Sequence, residues 1–293
     1  RDPDIRYEYS NLAVGLLGQL LSRRAGVPYE TLLRDRVCTP LGLHDTVITM
    51  TPDQAARLAP PTSEGREAKP WATMDALAGA GAFRSTAADL MRFALAQLPE
   101  HAPAGEIGES LEIARRPIHH GKGLQVACGW HIAGDGSTYW HNGGTGGYST
   151  YLGVNATIDV AVVVLANGSA PQVTVAGEHL VQFLAGMQPT PIELPTYSTL
   201  PEADLEPYLG IYALEGGVPG SDQKLELHVM REGDRLYGRI TGQTFLRIDP
   251  IAEHRFRVRA VPAEVQFEPP VDGHCPVAVL HQNGQQIRWL RTP

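Results

Sequence analysis

The sequence predicts an α+β protein in two parts: an antiparallel sheet with helices and a helical subdomain, then a small all-β, barrel-like domain. Three observations predict this. Helical periodicity occupies the first third of the chain, strand-like runs follow in the middle, and short alternating runs fill the last third. A proline-rich stretch separates the two parts, so we place the domains at 1–190 and 201–293 and a linker at 191–200.

The first part is expected to begin with a helix. The run LAVGLLGQLLSRRAG carries leucines on one stripe and closes on Gly26. Gly15 and Gly18 lie inside this run, and each costs about 1 kcal/mol relative to alanine in a helix. They therefore predict a helix surface that another backbone approaches closely.

The next segments predict a second helix, a loop and a third helix. YETLLRDRV is expected to form a short helix. The stretch 51–82 is rich in Pro, Ala and Gly and is expected to be a long irregular loop. Thr86 and Asp89 have capping-box spacing ahead of an apolar stripe, which predicts a helix start.

The middle of the chain predicts one antiparallel sheet covered by a helix. Four strand-like runs occur in succession, and NATI between the last two is expected to form a hairpin turn. VTVAGEHLVQFLAGM then returns to helical periodicity and is expected to cover one sheet face. The four runs are ACGWHIA, TYWHN, YSTYLGV and DVAVVVLAN.

The last part is expected to be a small β-domain. Alternating runs such as KLELHVM, HRFRVRAV and QIRWLR recur with turn residues between them. This spacing predicts a barrel or a sandwich.

Composition excludes several classes of function. The net charge of −8 and the scattered arginines provide no basic surface for a nucleic acid. The apolar runs are too short for a membrane span. Three isolated cysteines, Cys38, Cys128 and Cys275, fit neither a zinc ribbon nor a disulfide framework. We expect no cofactor and no metal.

The stretch HNGGTGG, 141–147, allows four interpretations. A phosphate loop would need a following Lys and Ser or Thr at a helix start, but Tyr148 and a strand follow here. A zinc site would need ligand spacing, which His119, His120 and His131 do not provide with His141. A glycine-rich turn and an active-site strand both remain possible from this stretch alone.

Four motifs in a fixed order favour the active-site strand. They are YSN, PLGLHDT, STAADLMRF and HNGGTGGYST, and together this order resembles the class C β-lactamase and penicillin-binding-protein family of serine hydrolases. The resemblance covers about 1–187, and the family also includes esterases and D-amino-acid peptidases. The last domain resembles the lipocalin-like domain of some members, on the basis of YLGIY; a generic β-domain is the alternative.

The resemblance implies roles for five residues. Tyr9 and Asn11 match the Y-x-N motif, in which the phenol relays a proton and the amide holds the substrate carbonyl. His141 and Gly143 match the H-x-G motif, and Gly144 takes the position whose backbone N–H completes the oxyanion hole. In this arrangement His141 is a polar group beside the substrate, and the glycines leave it room.

The nucleophile of this family is the serine of an S-x-x-K motif ahead of Y-x-N. None of the eight residues before Tyr9 is Ser or Lys, and the literal match SDQK at 221–224 stands in the wrong order and the wrong domain. We therefore expect that the chain is truncated before S-x-x-K and that it is inactive alone. Its sheet should then expose a face or an edge.

Two hypotheses of function follow. The first is a serine acyl hydrolase that acts through an acyl-enzyme on a small amide or ester, with Ser and Lys supplied by an upstream segment or a second chain. The second is a non-catalytic binding module, or an inactive fragment, that keeps the fold. The resemblance also implies a periplasmic or secreted location. The motifs do not distinguish β-lactams, esters and D-amino-acid peptides as substrates.

Overall fold

The chain forms two compact units, Arg1–Ile192 and Glu193–Pro293. The first unit combines helices with an antiparallel sheet, and the second is a closed β-barrel, so the predicted fold class is confirmed. Most of the predicted linker 191–200 lies outside the described residues. The computed structural model describes residues 7–63, 66–71, 75–120, 125–170, 172–192, 200–218, 220, 224–243, 245–259, 261, 263–282 and 284–292.

The helices of the first unit follow the predicted order, with additional short elements between them. The described helices are α1 (Asn11–Ala25), α2 (Tyr29–Leu33), a π-helical turn (Arg34–Cys38), α3 (Thr39–Leu41), α4 (Pro52–Ala56), 3₁₀ turns at Asp75–Ala80 and Pro99–His101, α5 (Ala87–Leu95), α6 (Glu106–Ala114) and α7 (Gln172–Leu184).

Helix α1 packs through its glycines and exposes its leucines. A Cβ placed on Gly18 would lie 3.2 Å from the Cα of Gly79, and one on Gly15 would clash with Leu77. The expected close backbone approach is therefore confirmed. The remaining apolar surface of the helix faces outward: the side chains of Leu12, Val14, Leu16, Leu17, Leu20 and Leu21 are all exposed.

The prediction of an irregular loop over 51–82 is wrong in part. Thr51 caps α4 and accepts a hydrogen bond from the backbone N–H of Gln54, whose side chain accepts one from the Thr51 N–H in return. This is a capping box, which the sequence T-P-D-Q favours. A two-stranded ribbon and the 3₁₀ turn at Asp75–Ala80 follow.

Helix α5 begins where the spacing predicts, but the Asp89 carboxylate accepts hydrogen bonds from the PLGLHDT turn. The Thr86 hydroxyl accepts from the Asp89 N–H at the helix start. The Asp89 carboxylate is buried and accepts hydrogen bonds from the Asp45 N–H (2.7 Å) and the Thr46 hydroxyl (3.0 Å). It thus ties the PLGLHDT turn to α5.

The sheet of the first unit is antiparallel and has helices on both faces. Helix α5 packs near Trp130, Ile132 and Val154 on one face, and α7 packs near Tyr151 and Val162 on the other. The described strands run in the order β3-β4-β5-β6-β7-β8, so β8 lies at the edge of the sheet. The strands are β1 (Thr62–Ser63) and β2 (Arg66–Glu67) of the ribbon, then β3 (His119–His120), β4 (Gln125–Ala127), β5 (Trp130–Ile132), β6 (Thr138–Thr145), β7 (Tyr148–Asn155) and β8 (Val160–Ala166).

Two of the predicted strands have different bounds in the structure. ACGWHIA forms two strands, β4 and β5, because Gly129 adopts a positive φ of 75° and turns the chain between them. The strand predicted at TYWHN continues through the first two glycines to Thr145. No helix in the described part of the chain is long and apolar enough to cross a membrane.

The second unit is a barrel with a packed interior. Its eight described strands close when β16 pairs with β9. The large side chains of Tyr212, Phe256, Phe267 and Trp289 belong to one buried cluster inside it. The elements are α8 (Glu202–Leu205), a 3₁₀ turn (Glu206–Tyr208), β9 (Gly210–Leu214), β10 (Glu226–Glu232), β11 (Arg235–Ile240), β12 (Leu246–Ala252), β13 (Arg255–Val258), β14 (Ala263–Phe267), β15 (Val277–Gln282) and β16 (Gln285–Arg291).

Candidate active site

Strand β6 carries the HNGG motif beyond the end of its neighbour β5. It pairs with β7 along its whole length, but in the described register only Tyr139 and Trp140 of β6 pair with β5. The strand is therefore internal to the sheet at its start. From His141 onward, the side of β6 that faces away from β7 lies beyond the β5 pairing.

The four glycines of this stretch serve different purposes. A Cβ on Gly144 would meet no atom within 4 Å, whereas one on Gly143 would lie 2.6 Å from the Thr150 hydroxyl oxygen on β7. Gly146 and Gly147 pack against the segment between residues 61 and 71. Of the four, only Gly144 has open space at its Cβ position.

The segment before α1 brings Tyr9 to this strand. The ring centroids of Tyr9 and His141 lie 6.2 Å apart, with the planes tilted by 39°. The side chain of Tyr9 is 58% exposed, so its ring borders solvent as well as the strand. Two residues of the predicted site thus come together from distant parts of the sequence.

Asn11 stands at the start of α1, two positions after Tyr9. The helix cap is provided by Ser10, whose hydroxyl accepts a hydrogen bond from the Ala13 N–H at 3.1 Å. Capping is therefore the role of Ser10, and the Asn11 amide is exposed at the first helical position.

His141 is oriented by its own neighbour. Its Nδ1 lies 2.5 Å from the Asn142 carbonyl oxygen. Because a carbonyl only accepts hydrogen bonds, Nδ1 carries the proton and Nε2 holds the lone pair of the neutral ring. The Asn142 side chain is held elsewhere, since its Nδ2 donates to the Thr174 hydroxyl on α7 at 3.0 Å.

A third ring, that of His131 on β5, completes the cluster. Its centroid lies 5.2 Å from that of His141 in a stacked arrangement and 6.5 Å from that of Tyr9. The sequence suggested His131 only as a metal ligand, and its position beside His141 was not predicted. The alternation along β5, in which Trp130 and Ile132 are buried, indicates that the His131 side chain faces the opposite side of the sheet, but not that it meets His141.

In the part of the chain that the structure describes, few groups could act as a serine–lysine pair beside Tyr9. The hydroxyl of Ser10 is engaged in the helix cap. Lys69 lies in the segment that packs on the β6–β7 turn, Lys122 and Ser221 lie outside the described residues, and Lys224 belongs to the second unit. Among the described residues, no group of three or more His, Cys, Asp or Glu side chains could hold a metal ion.

Comparison with known proteins identifies the family. A family model described as Beta-lactamase matches residues 1–186. The chain belongs to this family. The match covers the first unit almost completely and includes Tyr9, Asn11 and the HNGG strand.

Named relatives of the family match longer parts of the chain. Penicillin-binding protein 4* of Bacillus subtilis (strain 168) is 24% identical over 99% of this chain and 68% of its own length. Penicillin-binding protein 4 of Amycolatopsis lactamdurans is 30% identical over 74% of this chain and 62% of its own length. The chain thus spans about two thirds of these relatives.

Solved structures of the family share the fold. The octameric penicillin-binding protein homologue from Pyrococcus abyssi has a TM-score of 0.52 and 18% identity, over 99% of this chain and 66% of that one. The D-alanine carboxypeptidase AmpC from Burkholderia cenocepacia has a TM-score of 0.54 and 21% identity, over 61% and 60%. At these identities the likeness shows the fold alone.

Proposed function

We propose that the first unit carries the tyrosine–histidine half of a serine acyl hydrolase site, which acts through an acyl-enzyme on a small amide or ester. The observation that supports this most directly is the 6.2 Å approach of Tyr9 and His141 beside the open space at Gly144. A proton-relay group and a backbone N–H that faces the developing oxyanion are parts that acyl transfer uses next to a nucleophile.

Each residue has a role in this proposal. The Tyr9 hydroxyl takes the proton of the attacking serine and returns it to the leaving group. A phenol is a weak base near neutral pH unless a nearby cation favours the phenolate, and in this proposal the lysine of S-x-x-K provides that cation. His141 is a polar group beside the substrate. The Gly144 N–H donates to the developing oxyanion, and Asn11 holds the substrate carbonyl.

The serine and lysine belong to a polypeptide segment outside this sequence in our proposal. The segment is either part of a longer chain or part of a second chain. The exposed leucine face of α1 supports this, because α1 begins two residues after Tyr9 and leaves six large apolar side chains uncovered. An apolar surface of this kind is typical of a helix that packs against further protein.

The names of relatives suggest the substrate class. One relative from Escherichia coli (strain K12), named D-alanyl-D-alanine-carboxypeptidase/endopeptidase AmpH, is 40% identical over 91 residues, which are 31% of this chain and 23% of its own length. We propose a D-alanyl peptide or a β-lactam as the small amide, with esters as the alternative. A periplasmic or secreted location is part of the same proposal.

Covalent labelling tests the proposal. The coding sequence upstream of Arg1 is read for S-x-x-K, and the protein with and without that segment is treated with a fluorescent penicillin and a fluorophosphonate. We expect label on the serine of S-x-x-K in the longer protein and none on the 293-residue chain. Replacing that serine by alanine is the control.

Two outcomes would contradict the proposal. Label on Ser10 or Ser221 of the 293-residue chain would refute the assignment of the motifs. An upstream sequence without S-x-x-K, together with no label on any form of the protein, would favour the non-catalytic binding module.

A further inference from the structure

His131 occupies the centre of the aromatic cluster at the candidate site. Its ring centroid lies 4.8 Å from that of Trp140, directly across the β5–β6 pairing, and 5.2 Å from that of His141, with the two imidazole planes only 20° apart. Tyr7 adds an edge contact at 6.3 Å, and Tyr9 a stacked contact at 6.5 Å. The His131 ring therefore contacts the rings of both Tyr9 and His141.

The ring of His131 is held in its neutral form by its surroundings. Its Nδ1 is buried and has no hydrogen-bond partner among the described residues. A protonated imidazole donates through both nitrogens, so protonation would leave a buried N–H unpaired, at a cost of about 1–3 kcal/mol or more. The neutral tautomer with its proton on Nε2 avoids this cost. Burial lowers the pKa of His131, and the charge of His141 lowers it further.

His141 needs such a neighbour because little else fixes its ring. It lies where β6 runs past the end of β5, and its one described hydrogen bond joins Nδ1 to the carbonyl of the adjacent Asn142. Rotation of the ring about its side-chain bonds would break that bond and exchange the two nitrogens. A flat ring stacked against His141 opposes this rotation, and aromatic stacking contributes about 0.5–1.5 kcal/mol.

We propose that His131 is a positioning residue. Its neutral ring is wedged against Trp140 and holds the His141 imidazole with Nδ1–H on the Asn142 carbonyl and Nε2 available beside Tyr9. The inference gives a further residue to the proposed hydrolase site and rests on that function for its meaning. Its test does not require turnover.

The groups that face His131 are defined by the structure. Tyr7 and Tyr9 face it from the segment before α1, and His141 and Trp140 face it from β6. Val126 on β4 lies opposite it in the β4–β5 register. Of these, His141 is the group whose charge lowers the pKa of His131.

Nitrogen-15 NMR of the imidazole rings tests the proposal in the 293-residue chain. In the unmodified chain we expect His141 in the Nδ1–H tautomer and His131 neutral in the Nε2–H tautomer at pH 7. His131→Leu removes the flat ring, and the Nδ1–H signature of His141 should be lost in favour of mixed tautomers. His131→Phe keeps a flat ring and should preserve the signature.

Two further variants separate positioning from general stability. His141→Asn removes the charge that opposes protonation, so the pKa of His131 should rise while His131 remains buried. His101→Leu changes a half-exposed histidine outside the cluster and should leave the His141 signals unchanged.

Specific results for His131→Leu, His131→Phe and the unmodified chain would overturn the proposal. If His131→Leu is folded and His141 keeps its Nδ1–H signature, or if His131→Phe loses the signature to the same extent, His131 does not position His141. If His131→Leu does not fold, the unmodified chain decides, because a protonated His131 at pH 7 or an Nε2–H tautomer of His141 refutes the proposal. Absence of covalent labelling on the protein that contains the S-x-x-K segment would instead refute the proposed function and leave the positioning role intact.

Discussion

The rings of Tyr9 and His141 lie 6.2 Å apart, although one precedes the first helix and the other stands in the central strand of the sheet. The sheet register fixes the position of His141 opposite Leu152, and the Ser10 cap fixes where α1 begins. This pair therefore depends on two separate local structures that meet only in the folded unit.

Replacing Tyr9 by Phe removes one hydroxyl and keeps the ring. In the protein that also contains the S-x-x-K segment, we expect kcat/KM to fall by roughly 10²- to 10⁴-fold, the usual contribution of general acid–base catalysis. The melting temperature should change little, because the Tyr9 side chain is largely exposed. Steady-state kinetics and a thermal melt measure both effects.

Tyr29→Phe is the matched control for this change. The Tyr29 ring packs edge-on against Phe83 with centroids 6.4 Å apart, outside the candidate site, so kcat/KM should be unchanged. Full activity of Tyr9→Phe would remove Tyr9 from the mechanism.

Alanine at the two adjacent glycines should reduce stability to different extents. A Cβ at Gly143 would lie 2.6 Å from the Thr150 hydroxyl oxygen, so Gly143→Ala should cost about 1–3 kcal/mol in unfolding free energy. Gly144→Ala meets no atom within 4 Å and should change stability by less than about 0.5 kcal/mol. Urea denaturation measures both.

A second substitution checks the cause. Thr150→Ala removes the clashing oxygen, and the next atom, the Thr150 Cβ, is 3.8 Å away, so the double variant Gly143→Ala/Thr150→Ala should recover most of the loss. Equal destabilisation by both glycine substitutions, or no recovery, would contradict the packing described for β6 and β7.

Glu30 should make the first unit less stable in acid. Its carboxylate accepts hydrogen bonds from the N–H groups of Ile48 and Thr49 and from the Thr49 hydroxyl, at 2.7 to 2.8 Å. Burial alone would raise its pKa, but these hydrogen bonds outweigh burial and the pKa is lowered. The stabilisation is therefore fully present at pH values above the ordinary pKa of glutamate. It is lost as the pH falls through the lowered pKa, between roughly pH 5 and pH 3.

Urea midpoints measured from pH 7 to pH 3 test this dependence. Glu30→Gln should cost about 1–3 kcal/mol at pH 7 and flatten this part of the profile. Glu109→Gln, at an exposed position on α6, should leave the profile unchanged. If the urea midpoint of Glu30→Gln falls with pH as it does in the unmodified chain, another carboxylate controls the loss of stability in acid.

The leucine face of α1 should contribute little to the stability of the isolated chain. Leu16 is 56% exposed, so Leu16→Gln should change the unfolding free energy by less than about 0.5 kcal/mol. Leu98 is fully buried beside Trp130, and Leu98→Ala should cost about 2–5 kcal/mol. In a protein whose additional segment covers α1, Leu16→Gln should become destabilising by at least about 1 kcal/mol.

A loss of stability in the isolated chain as large as that of Leu98→Ala would show that the α1 face is already packed. An unchanged stability of the longer protein would show that the segment does not cover Leu16. Urea denaturation of the two proteins separates these outcomes.

The local signals in the sequence determined where most elements begin and end. The leucine periodicity and Gly26 set α1, and the spacing of Thr86 and Asp89 set the start of α5, because caps and amphipathic stripes act within a few residues. The same kind of signal was present at Thr51 and was missed, since the surrounding Pro, Ala and Gly suggested a loop. The order of the motifs was also sufficient to predict the family.

Only the tertiary structure decided which residues meet and what the glycines do. His131 lies beside Tyr9 and His141 because the pairing of β5 with β6 stops at Trp140. The register between two strands is not determined by the sequence of either strand alone. Gly144 borders open space while Gly146 and Gly147 pack on a distant segment, although all of them look alike in HNGGTGG. Contacts between residues far apart in the chain depend on the packing of whole elements, which periodicity and caps do not specify.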